Sequence, residues 1–91
     1  MTPIKIKSIE DLKQKVNESN SQLDVFIHFG AGLRSTREIH SRFTSKGKRL
    51  KGIEIFRSID GEYIEYRNID AYLKSDKNLV KAIESGNAYF D

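Results

Sequence analysis

The side chains that could do chemistry gather between His28 and Lys51. An apolar run over residues 23–29 ends in Gly30-Ala31-Gly32, followed by Leu33-Arg34-Ser35-Thr36-Arg37. Glycines after a strand let backbone N–H groups approach a phosphate, and Ser35 with Glu38 fits a helix capping box. The lysine of a phosphate-binding loop is missing, however, and Ser35 stands where a dinucleotide fingerprint has its third glycine. A helix from Ser35 would carry only Ile39 and Phe43 as apolar anchors. As a strand, the same residues put Ile39, Ser41 and Phe43 on one face and Glu38, His40 and Arg42 on the other. The strand is the better reading, and the glycines then make a strand-to-strand turn.

Catalysis finds little support. Glu38 and His40 would share a strand face as an acid–base pair, as many surface residues do. The chain has no cysteine and only two histidines, so thiol nucleophiles, disulfides and thiolate metal sites are excluded. No metalloprotease, serine-hydrolase or P-loop motif occurs. His28 reads as a core or boundary residue with its ring nitrogens satisfied locally. No catalytic residue, metal ligand or cofactor is assigned.

Charge is more informative. Between Gly30 and Gly52, Arg34, Arg37, Arg42, Lys46, Lys48, Arg49 and Lys51 face Glu38 alone, a balance of +6 within a chain of net charge +3. A cluster of this kind attracts anionic partners, and the seven cations form the expected binding surface. The expected function is a non-catalytic binding or accessory module that meets an acidic protein through this surface. The alternative is a nucleic acid, held by the same cations on its phosphates and by Phe56 and Tyr63 stacking on bases. Those two rings are accessible only if the helices share the other face of the sheet.

These residues need a scaffold, and 91 residues allow one domain, 1–91. A chain this size buries roughly 60–68% of its unfolded surface, enough for one modest core. No apolar run approaches the ~20 residues of a membrane span, and residues 1–8 lack the apolar stretch of a signal peptide. The expectation is a cytoplasmic protein, monomeric or dimeric by strand pairing along an open edge at residues 36–43.

Ile4 and Ile6 alternate with lysines as a short strand. Ser8 caps a helix with Glu10 and Asp11 in its first turn and Ile9, Leu12 and Val16 on its apolar stripe, ending in residues 17–20. In residues 23–29, Val25, Ile27 and Phe29 share one face and Phe26 and His28 the other, as in an interior strand covered on both sides. A bulge at Lys51-Gly52 brings Leu50 and Ile53 into phase. Two alternating runs flank Asp60-Gly61 in IEIFRSIDGEYIEYR, a hairpin signal. A two-residue loop there would pair Ile59 with Glu62, Arg57 with Ile64 and Ile55 with Tyr66. Ile69, Tyr72 and Leu73 lie in a packed connection before a last helix capped at Ser75 or Asp76, with Leu79, Ala82 and Ile83 buried. Tyr89 and Phe90 fold back on the core or add a terminal strand. The sum is an α+β domain of order β-α-β-β-β-β-α, a mixed or antiparallel sheet of four to five strands with two short helices.

Three segments carry a resemblance: Gly32, Leu33, Arg34, Ser35 and Arg37; then Ile59, Asp60 and Gly61; then Asn78, Leu79, Ala82, Ile83 and Gly86. They resemble small bacterial proteins of phage or mobile-element type, which share a Gly-Leu-Arg-Ser-Ser-Lys-like segment, an Ile-Asp-Gly turn and a C-terminal Asn-Ile-x-x-Ala-Ile-x-x-Gly-like helix. Thr36 and Arg37 replace the Ser-Lys of that group, and residues 44–51 form a longer, more basic insert. The resemblance implies a strand after Ser35 and no activity.

Overall fold

The structure, a computed structural model, describes residues 2–91. In chain order the elements are β1 (Ile4–Lys5), α1 (Ile9–Glu18), β2 (Gln22–Gly30), β3 (Leu33–Phe43), β4 (Arg49–Arg57), β5 (Glu62–Tyr66), α2 (Ile69–Ser75), α3 (Lys77–Glu84) and β6 (Ala88–Phe90). The strands form one antiparallel sheet in the order β1-β6-β2-β3-β4-β5. The class is α+β, with six strands and three helices among the described residues rather than the smaller set the sequence suggests.

Two elements account for the difference. Asn68 accepts the Ala71 N–H at 2.8 Å and starts α2, whose Ile69, Tyr72 and Leu73 are buried at the i, i+3, i+4 spacing. A stripe only seven residues long is too brief to distinguish from a packed loop by period. The second is β6, which pairs with β1 on one side and β2 on the other. Ala88 and Phe90 turn to the core while Tyr89 turns away, so the tail alternates as a strand must.

Helix α1 forms as its sequence dictates. Ser8 Oγ accepts the Asp11 N–H at 3.1 Å, and Leu12 and Val16 are buried. One core unites Ile6, Val25, Ile27, Ile39, Ile53, Ile55, Ala88 and Phe90 of the sheet with Leu12, Val16, Tyr72, Leu79 and Ile83 of the helices. The helices therefore share one face of the sheet.

The glycine segment is a hairpin. Gly30 pairs with Leu33 around Ala31-Gly32, whose φ values of 51° and 77° are the two left-handed conformations of a type I′ turn. His28 pairs with Arg34, which leaves Phe29 as a bulge. The bulge lifts Phe29 out of the alternation, so it is 63% exposed instead of joining Val25 and Ile27 in the core. A second irregularity, between the Ser41–Ile53 and Phe43–Arg49 pairs, falls at residues 50–52, where the sequence predicts a bulge.

The β4–β5 hairpin differs from its expected register. Arg57 pairs with Glu62, Ile55 with Ile64 and Ile53 with Tyr66, so the loop spans residues 58–61 and exposes Ile59. The Arg57 carbonyl accepts from the Asp60 and Gly61 N–H groups, closing a four-residue turn that Asp60-Gly61 alone does not specify. The shift is two residues, so every other side chain keeps its face. Strand β3 lies between β2 and β4, so no open edge exists at residues 36–43; the outer strands are β1 and β5.

Candidate functional site

The register fixes what the uncovered face carries. Lys5, Tyr89, Phe26 and Thr36 form one cross-strand row; Asp24, Glu38, Phe56 and Tyr63 form the next; Gln22, His40, Glu54 and Glu65 form a third. His28 and Arg34 oppose one another beside the first row. None of these residues belongs to the core that the helices cover. The expectation that β2 is covered on both sides is therefore corrected: its second face lies opposite the helix-covered core, with Pro3 beside Phe26 and His28 at its margin.

Two aromatic groups dominate this face. Phe26 and Tyr89 stack with ring centroids 5.4 Å apart, and the Arg34 guanidinium lies 4.4 Å over the Phe26 ring. Phe26 is 4% exposed as a result, although it lies outside the core the helices cover. His28 meets Tyr89 edge-on, and with Pro3 these rings border a shallow depression of about 250 Å³. Across the sheet, Tyr63 sits 5.0 Å from Phe56 and 5.2 Å from His40. Tyr63 is 56% exposed, so the second group is accessible.

Acids are opposed across the strands. Asp24 faces Glu38, and Glu54 faces Glu65, arrangements that destabilise a sheet unless they are relieved. Arg42 relieves the second pair, binding Glu65 and lying 3.6 Å from Glu54. Gln22 Nε2 donates to Asp24 at 2.7 Å and His40 Nε2 lies 3.0 Å from Glu38, but among the described residues no lysine or arginine bridges the first pair. On the paired strands, Lys5, Arg34 and Arg42 stand against Asp24, Glu38, Glu54 and Glu65, one net negative charge.

The basic run does not make one surface. Arg37 points into the core at 2% exposure. Its Nε donates to Asp76 Oδ2 at 2.5 Å, Nη2 to Asp76 Oδ1 at 3.3 Å, and Nη1 to Ser35 O and Oγ at 3.2 and 3.1 Å. Asp76 also accepts from the Tyr72 hydroxyl and, at 3.2 Å, from the Leu79 N–H, so one carboxylate caps α3 and ties it to β3. Burial pushes the Asp76 carboxyl up, but the hydrogen bonds from Arg37, Tyr72 and Leu79 outweigh it and hold Asp76 below its usual range. Burial, reinforced by Asp76, raises the Tyr72 hydroxyl.

Arg49 is also committed. Its guanidinium donates to the Ser19 and Val16 carbonyls at the C-terminus of α1 and, at 3.1 Å, to Ser41 Oγ. Of the seven cations, Arg34 and Arg42 lie on the bare face, Arg37 and Arg49 serve the fold, and Lys46, Lys48 and Lys51 are exposed at the β3–β4 end. A groove of about 390 Å³ beside Lys51 is lined by Lys13, Arg49 and Asp70, with Lys13 paired to Asp70 at 2.8 Å.

Sequence reasoning missed Arg37 as a core residue and the stacking of Phe26 with Tyr89 on the uncovered side of the sheet. Tyr89 carried the signal for the pair, because its alternation with Ala88 and Phe90 directs it opposite the core. Phe56 and Tyr63 are together on the uncovered face, Phe56 half-buried and Tyr63 exposed. Glu38 and His40 touch at 3.0 Å. Among the described residues no cluster of three or more potential metal ligands occurs, and no helix is long and apolar enough to cross a membrane. No family model, curated protein or solved structure matches this chain.

Proposed function

We propose that this protein is a non-catalytic binding module whose partner is another protein, docked on the bare face of the sheet. The observation that carries this reading is the placement of all three helices on one face, leaving on the other two aromatic groups, with Tyr63 the most exposed of their Phe and Tyr rings, framed by charges of both signs. Aromatic residues and arginine supply most of the binding energy at protein interfaces, and opposed charges fix the register of docking. Lys46, Lys48 and Lys51, at one end of the face, would steer an acidic region of the partner.

The balance of charge favours protein over nucleic acid. A phosphate backbone laid across the face would meet the unbridged Asp24–Glu38 pair and a net negative charge. Catalysis gains nothing from Glu38 and His40 on an open sheet that cannot exclude water.

Affinity capture with the wild-type chain and with Tyr63→Ala/Tyr89→Ala tests this. The expected result is a protein retained after nuclease treatment, lost with the double variant and unaffected by Lys81→Ala on α3. Capture that disappears with nuclease, or that survives the double variant, would overturn the proposal.

A further inference from the structure

We infer that β5 is a self-association edge, through which two copies of the chain pair antiparallel about Ile64 and extend their sheets into one. Among the described residues strand β5 is outermost in the sheet, with β4 on one side and no strand on the other. Its sequence, Glu62-Tyr63-Ile64-Glu65-Tyr66, looks at first like a charged edge that repels other strands. Its pattern against its own copy says otherwise.

Glu62, Ile64 and Tyr66 lie on the helix side of β5, opposite Arg57, Ile55 and Ile53, while Tyr63 and Glu65 lie on the bare side. A symmetric pairing that keeps both sets of helices on one side must match residues of the same face. Centred on Ile64, it aligns the whole strand: Ile64 with the partner's Ile64, Tyr63 with the partner's Glu65, and Glu62 with the partner's Tyr66. Each carboxylate then faces a phenol, and each face alternates acid with hydroxyl. Centring on Glu65 instead opposes two copies of that carboxylate, and centring on Tyr63 sets Glu62 against the partner's Ile64; both shorten the overlap. One register alone joins the full strand without a like-charge pair.

The side chains are poised for it. Ile64 is 39% exposed and Tyr63 56%, so both have apolar surface to bury against a second strand. The Tyr66 hydroxyl lies 3.2 Å from Ser75 Oγ, whose own proton goes to the Tyr72 carbonyl at 2.8 Å, so Tyr66 must turn its proton from Ser75 to meet the partner's Glu62. The contact is short, so the dimer is weak and concentration-dependent rather than obligate.

Sedimentation of the intact chain from micromolar to millimolar concentration should show a shift from monomer to dimer, abolished by Ile64→Lys. Register is read by cysteine scanning, because the chain has no cysteine of its own. Ile64→Cys places two thiols on the symmetry axis, where directly opposed Cα atoms about 4.5–5.5 Å apart are within disulfide reach. Its oxidation to a crosslinked dimer should outpace that of Lys81→Cys on α3 many-fold. Tyr63→Cys mixed with Glu65→Cys should crosslink to each other faster than either does to itself. A chain that stays monomeric throughout, or a dimer in which position 64 crosslinks no faster than position 81, would overturn the inference.

Discussion

Arg37 shows how far a residue's type can mislead about its place. In sequence it is one of seven cations in a basic run; in the fold it is sealed in the core, all its hydrogen bonds directed at Asp76 and Ser35. Nothing in the local pattern betrays this, because its partner lies 39 positions away. Removing one member of such a pair leaves a buried charge alone, so Arg37→Ala should cost about 3–5 kcal/mol in urea denaturation, against near zero for Lys46→Ala. The triad also sets two pH limits. Asp76 titrates below an unfolded aspartate, so its contribution is complete above about pH 4 and is lost as pH falls through its lowered native value. Tyr72 titrates above an unfolded phenol, so its contribution is complete below about pH 10 and declines as pH rises beyond that. Equilibrium unfolding followed across pH should show both limbs, and Tyr72→Phe should flatten the alkaline one.

Among the elements, α1, α3 and the strands over residues 23–57 were legible because each combines a period with a cap or a turn. The β4–β5 hairpin was legible in its faces and not in its loop: Asp60-Gly61 marks a turn, but the fit of Ile55 and Ile53 against Ile64 and Tyr66 decides its length. Helix α2 and strand β6 are shorter than the periods that would announce them. The β2–β3 turn carries a local conflict, since Ala31 holds φ 51° in a position that suits glycine or asparagine. Ala31→Asn restores the favoured Asn-Gly pair and should stabilise the chain by about 0.5–1 kcal/mol, read as a raised denaturation midpoint.

For the whole molecule, the basic run was a fair guide to where charge lies along the chain and a poor guide to where it lies in space. Strand alternation sends neighbouring cations to opposite faces, so Arg34 and Arg42 reach the bare side while Arg37 and Arg49 enter the fold. The bare face itself depended on which side the helices chose, and that is decided by the packing of all of them together. The position of β6 has a further consequence, in the order in which the chain can be completed. Between β1 and β2 there is a slot that residues 88–90 fill, and among the described residues β1 has no other strand beside it. On the ribosome, β2 to β5 can pair in hairpins as they emerge, while Ile4 and Ile6 must wait for the far end of the chain. Closing a loop of that length costs only about 0.6 kcal/mol more for each doubling, so the delay is a matter of timing rather than stability. Until it ends, the flank of β2 stands open to any strand that arrives first.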